Sequence, residues 1–297
     1  MYIVYYINKI ILLNLERNNQ NIDFIQELND SNIYNDFDLL MSTRNNDTNY
    51  KKRKNSINKS LKNSLPWVKF LDSKSKQKAR FDTGCNALNN ITRGFPQGII
   101  TDVYGASATG KSQLIFQTAL NAAEQNSNVL IIDSTGNFRP ERILQICKAK
   151  SFNHERVFKN IFVLNSNALN YQLDSVDNIL NFKNKKNVDL VLIDDLTANF
   201  TDHLSFPIKE LKSALLEYIQ RLTNLAWNHK LSIVITNTVR ADLNNLVELE
   251  KETYYNLMNR TIHLRIYLQR INNVWKATNN YGECVNFKID ENGIKEA

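Results

Sequence analysis

Apolar residues along this chain fall into two regimes. Up to about residue 80 they are scattered among polar residues, and from Phe81 onward they gather into short runs separated by helical periods. The runs at 99–104, 129–133, 161–164, 188–194 and 231–236 are of strand length and rich in Val, Ile and Leu, as expected of strands buried on both faces. The clearest helix is predicted over 209–228, where Leu211, Ala214, Leu215, Tyr218, Leu222, Leu225 and Ala226 recur at i, i+3, i+4 and i+7 and so make one apolar face. A second helical run spans 113–125. Toward the end, 262–270 and 274–278 flank Asn272 and Asn273, residues that tolerate positive φ, so an antiparallel hairpin fits, and 284–290 reads as a last strand. Strands alternating with helices predict an α/β fold: a mainly parallel sheet with helices on both faces and a C-terminal antiparallel hairpin. Its ligands should lie at the carboxyl ends of the strands.

Composition divides the chain in the same place. Residues 16–64 are rich in Asn, Asp, Ser and Lys and lack a sustained apolar period, which predicts disorder, apart from a short helix over 22–40 around Phe24, Ile25, Leu28, Phe37 and Leu40. Met41 offers an alternative translation start. The expected organisation is an Asn/Lys-rich, disordered extension over 1–64, a basic linker over 65–80, and the folded domain over 81–297. The net charge of +7 is local: residues 51–80 carry +10, residues 1–50 carry −4, and the remainder is nearly balanced. Three widely spaced cysteines and four scattered histidines give no disulfide framework and no metal-ligand spacing. No apolar run reaches the ~18 residues that span a bilayer, and the apolar leader over 1–15 contains Asn8 and Lys9 and has no small-residue cleavage site. The expectation is a cytoplasmic protein with no membrane partner.

Chemistry concentrates at 99–112, IITDVYGASATGKS, a strand running into Gly105-x-x-x-x-Gly110-Lys111-Ser112. Glycine is scarce, eight in the whole chain, yet five of them fall between 84 and 110. This is a complete Walker A pattern. The N–H groups of Gly105, Ala106, Ser107, Ala108, Thr109 and Gly110 can wrap a phosphate, and Lys111 can reach the β- and γ-phosphates. Ser112 can offer its hydroxyl to Mg²⁺, and the helix that follows through Gln113 adds its dipole. Four apolar residues ending in Asp194 make a Walker B strand at 190–194, with Asp194 on the metal side. The cofactors expected are ATP and Mg²⁺.

These motifs carry a resemblance. Residues 81–89 (FDTGCNALN), 94–98 (GFPQG), the Walker A segment, 131–142 (IIDSTGNFRPER) and Thr236-Asn237 are similar to the ATPase core of the RecA/RadA recombinases over about 81–290. The FRPER segment points to the archaeal and eukaryotic branch, and the lack of a recognisable DNA-binding domain upstream resembles the RadB-type paralogues. The resemblance implies a RecA-like P-loop NTPase core and places the Arg142 guanidinium against the adenine; a surface arginine in the first turn of a helix is the alternative. It also implies DNA contacts from loops at 196–208 and from 240 to about 258, a possible homo-oligomer, and partnership with a RadA-type recombinase.

Departures from the family pattern bear on activity. Where the family has a glutamate that activates water, this chain has Thr135, and where it has a glutamine that senses the γ-phosphate, this chain has Thr238. Losing a positioned base typically costs about 10²- to 10⁴-fold. Asp195 stands where other P-loop ATPases place a catalytic carboxylate, so it is a candidate base alongside Lys111 and Asp194; a loop or capping acid is the other reading. Both loops carry few cations, which turns attention to the basic arm (Lys51, Lys52, Arg53, Lys54, Lys59, Lys62, Lys74, Lys76, Lys78 and Arg80) as a seat for single-stranded or branched DNA. The spacing of Leu243, Leu246, Val247 and Leu257 suits packing against a partner. The F-x-x-A assembly motif is replaced by LPWV at 65–68, with Trp67 and Phe70 as anchors for assembly or for an intramolecular cap. The leading expectation is an ATP-binding mediator or regulator of recombinational repair with weak or absent hydrolysis. An active DNA-dependent ATPase and strand-exchange protein, and a KaiC-like signalling ATPase without a DNA role, stand as alternatives.

Overall fold

In the computed structural model, the described residues are 80–201, 205–241, 250–262, 264–272 and 274–297. The expectations for the leader, the helix over 22–40, Trp67, Phe70 and nearly all of the basic arm lie outside them, as do Leu243, Leu246 and Val247. The described chain belongs to one unit, Lys78–Ala297.

Its centre is a sheet that brings together the predicted strands: β3 (Ile100–Gly105), β4 (Asn128–Asp133), β5 (Ile161–Asn165), β6 (Val188–Asp194) and β7 (Ser232–Ala241), with β9 (Leu264–Ile271), β10 (Val274–Asn279), β11 (Cys284–Asp290) and β12 (Gly293–Glu296). The order across the sheet is β12-β11-β10-β9-β3-β7-β6-β4-β5. From β9 to β5 every neighbour is parallel, and from β9 outward through β12 the strands turn antiparallel. A short ladder, β1 (Arg80–Phe81) with β2 (Phe95–Pro96), forms separately. A further strand, β8 (Glu250–Glu252), pairs antiparallel with the end of β7. The helices are α1 (Asn86–Thr92), α2 (Lys111–Glu124), α3 (Pro140–Ala149), α4 (His154–Asn160), α5 (Leu169–Lys186), α6 (Ile208–His229) and α7 (Tyr255–Thr261).

Alternation along the strands explains the two layers. Val129 and Ile131 join one apolar cluster with α1, α2 and α3, while Leu130 and Ile132 join the other with α5 and α6. The same division separates Leu190 and Leu192 from Val191 and Ile193. Both faces are therefore dry, as the unbroken apolar runs imply. The stripe on α6 buries Leu211, Leu215, Tyr218, Ile219, Leu222 and Ala226. Each large apolar side chain there is worth about 1.5–3 kcal/mol relative to exposure. The buried Tyr218 hydroxyl pairs with Ser175 Oγ at 2.8 Å, which satisfies a polar tip inside an apolar layer.

One boundary differs in a way that matters for the site. The sequence pattern ends the fifth strand at Thr236, whereas β7 runs on to Ala241. Antiparallel pairing of Val239 with Glu252 and Arg240 with Lys251 extends it. Asn237 and Thr238 are thus held inside a strand, and Arg240, expected to begin a loop, is a strand residue.

Candidate nucleotide site

The Walker A loop joins β3 to α2 at the carboxyl edge of the sheet, beside the ends of β7 and β9. Gly105 and Gly110 are required sterically. A Cβ on Gly105 would come within 2.2 Å of the Leu268 carbonyl oxygen, and one on Gly110 within 2.5 Å of Ile289 Cδ1. Gly110, with φ of 99°, also occupies a conformation that side chains disfavour. The loop is therefore pressed against β9 and β11. From β10, Trp275 Nε1 donates to the Ala108 carbonyl at 3.4 Å.

Lys111 Nζ donates to the carbonyls of Gly105 (2.7 Å) and Ala106 (2.8 Å), which folds the ammonium over the mouth of its own loop. Burial draws its pKa down, while the carboxylates of Asp195 and Asp194 oppose that shift. Opposite the loop, Asp194 ends β6, and its Oδ1 accepts from Thr236 Oγ1 at 2.5 Å. These groups fit a Mg²⁺–triphosphate. The loop supplies a close-packed cradle, Lys111 a cation whose carbonyl contacts phosphate oxygens can replace, and Ser112 and Asp194 hard oxygen ligands for Mg²⁺.

Asp195 is buried, and both of its oxygens are engaged. Oδ1 accepts from Thr197 N (2.7 Å) and lies 3.1 Å from Thr197 Oγ1, and Oδ2 accepts from Thr238 Oγ1 at 2.7 Å. The i to i+2 contact is the loop-acid geometry. Burial pushes the Asp195 pKa up, and the bonds from Thr238 and Thr197 resist. Thr135 is exposed in the turn after β4, where Asp133 Oδ1 accepts from its N–H and its hydroxyl, both at 3.1 Å. Arg142, in the first turn of α3, is part of a clamp. Its Nε donates to Gln113 Oε1 (2.7 Å), Nη1 to Gln145 Oε1 (2.6 Å) and the Glu291 carbonyl (2.9 Å), and Nη2 to the Asp290 carbonyl (2.6 Å). The arginine beside the nucleotide helix thus bonds through its edge to the β11–β12 turn.

Two features were missed in the sequence. First, Lys209 and Lys212 on α6, Arg240 on β7 and Arg260 on α7 line one cleft of about 670 Å³ with Tyr254 and Tyr255. Cations far apart in sequence line it together, and three of them, Lys209, Lys212 and Arg260, lie on helices outside the two poorly basic loops. Glu252, which also lines the cleft, is buried and paired with Arg265. Second, Arg265 also binds Asp102 Oδ2 at 3.1 Å and lies 4.6 Å from the Tyr104 ring centroid, making a buried charge cluster behind the loop strand. An isolated acid three residues before Gly105 and an arginine more than 160 residues later gave no local signal.

Among the described residues no helix is long and apolar enough to cross a membrane. The sequence model of the Rad51 family matches residues 74–297. The chain is 26% identical over 178 residues to the DNA repair and recombination protein RadA of Ignicoccus hospitalis, covering 54% of each chain. It is 29% identical over 167 residues to the DNA repair and recombination protein RadB of Thermococcus kodakarensis, covering 54% of this chain and 70% of that one. The chain thus spans about half the length of the RadA relative and more of the RadB relative. With a RecA-like α/β core around an intact phosphate loop and a family match over three quarters of its length, the chain belongs to the Rad51 family.

Proposed function

We propose that this protein binds Mg²⁺–ATP as a conformational ligand and acts in recombination and repair as a mediator or regulator, with weak hydrolysis. The names of its RadA and RadB relatives support the process. The observation that carries the weak-hydrolysis part is the Thr135 hydroxyl resting on Asp133. A threonine there has no basic group to take a proton from water, whereas Lys111, Ser112 and Asp194 are the residue types that grip phosphate and Mg²⁺. Bound Mg²⁺ would neutralise phosphate charge and orient the phosphates. Lys111 would grip the phosphates, Ser112 and Asp194 would hold the metal, and the Arg142 guanidinium face would pack on the base. A nucleotide that binds one conformation better than another shifts the population without being cleaved.

Single-stranded or branched DNA is the proposed macromolecular ligand, and the cleft formed by Lys209, Lys212, Arg240 and Arg260 complements the basic arm as its seat. Cations neutralise phosphates, and the two tyrosines offer stacking faces. A RadA-type recombinase and further copies of this chain are the proposed protein partners. Slow hydrolysis through Asp195 is the second reading, favoured by its place directly after Asp194 at the end of β6.

Restoring the base tests the first reading. Thr135→Glu should raise ATP turnover by at least about tenfold with little change in nucleotide affinity. Wild-type turnover already equal to that of the variant would refute it.

A further inference from the structure

β8 pairs with the end of β7, and its last residue, Glu252, is hydrogen-bonded toward the nucleotide site. Its Oε1 accepts from Asn237 Nδ2 at 2.6 Å. Asn237 Nδ2 also donates to the Thr253 carbonyl (3.0 Å), and its Oδ1 accepts from Thr238 N (2.8 Å), so the orientation of the amide is fixed. Thr197 Oγ1 stands 2.7 Å from Asn237 Oδ1 and 3.1 Å from Asp195 Oδ1. Asp195, Thr197, Asn237, Glu252, Arg265 and Asp102 are all buried. The second carboxylate oxygen of Glu252 accepts from Arg265, which reaches Asp102 on β3, the strand that carries the phosphate loop.

Thr197 has one hydroxyl proton and faces two acceptors. With Asn237 locked, the proton goes to the amide oxygen or to the Asp195 carboxylate, and the charge felt by Asp195 decides between them. A Mg²⁺–nucleotide placed beside Asp194 changes that charge. The hydroxyl therefore has two discrete arrangements, which is the kind of element that can carry coupling between sites.

We propose that Thr197 and Glu252 are positioning residues that tie β8 to the nucleotide-site acid Asp195, so that nucleotide binding is felt at residues 252–254. The proposal rests on the nucleotide reading above.

Hydrogen exchange of the full chain, followed by mass spectrometry with and without Mg²⁺ and adenosine 5′-(β,γ-imido)triphosphate, tests it. In wild type the nucleotide should slow exchange around 252–254 by about fivefold or more. Thr197→Val should bind the analogue within about twofold of wild type and lose that slowing, while Thr197→Ser, which keeps the hydroxyl, should restore it. Glu252→Gln, which changes the far end of the path, should lose it as well and serves if the valine variant does not fold. Slowing retained in Thr197→Val or in Glu252→Gln, or a wild type that binds the analogue without any slowing, overturns the coupling and leaves the nucleotide reading standing. A wild type that binds no analogue overturns both.

Discussion

Thr238 Oγ1 donates to Asp195 Oδ2 at 2.7 Å, joining the residue that replaces the family glutamine to the acid best placed to replace the missing base. That bond and the two contacts from Thr197 use the carboxylate within the protein. A base needs a lone pair aimed at the attacking water. Asp195→Asn should therefore change residual ATP hydrolysis by no more than about threefold, measured by phosphate release. A fall of about 10²-fold would make Asp195 the base.

Trp275 touches the phosphate loop through the Ala108 carbonyl, and the Arg270 guanidinium lies 4.8 Å from its ring centroid. Of the other two tryptophans, Trp227 is 52% exposed on α6, and Trp67 lies outside the described residues. Titration with Mg²⁺–ATP should change the intrinsic emission, and Trp275→Phe should abolish the change without abolishing binding. A change that persists in the variant would show that the signal arises elsewhere.

Asp102 is fully buried against Arg265, and desolvation outweighs the guanidinium, raising its pKa to about 7. The folded state therefore holds a proton that the unfolded chain releases near pH 4. Stability from this group is complete below about pH 4 and is lost as pH rises toward 7. Relative to Asp102→Asn, which carries no titrating group there, wild type should lose roughly 1–4 kcal/mol between pH 4 and 7.5. Denaturant titrations of both proteins at each pH measure this, and parallel curves would contradict it.

Much of the fold was legible because burial on both faces leaves an unbroken apolar run. The strands β3 to β7 and helix α6 carry that signal in their own residues. β8 does not: Glu-Lys-Glu has no strand character, and it pairs only because β7 continues to Ala241 and Arg265 receives the Glu252 carboxylate. The Walker A segment was legible as a strand, loop and helix because its glycine spacing marks the turn between β3 and α2. The clamp of Arg142 on the Asp290 and Glu291 carbonyls was not, since carbonyls have no sequence signature.

The cations around the cleft give a further expectation. Lys209→Ala, Lys212→Ala and Arg260→Ala combined should weaken binding of a single-stranded oligonucleotide at low salt and flatten the salt dependence by about 0.7 for each phosphate no longer neutralised. Removing residues 41–64 should flatten it independently if the basic arm also touches phosphates. Affinity and salt slope unchanged in the triple variant would move DNA off this face.

The central claim, that ATP is held without efficient cleavage, is tested most directly by measuring Mg²⁺–ATP binding and phosphate release on one sample, with and without single-stranded DNA. We expect saturable, Mg²⁺-dependent binding that Lys111→Ala abolishes. Turnover should stay at least about 10²-fold below the ~1 s⁻¹ at the lower end of ordinary enzymes, with DNA present or absent. Turnover at or above ~1 s⁻¹ on addition of single-stranded DNA would contradict the account and make this protein an active DNA-dependent ATPase.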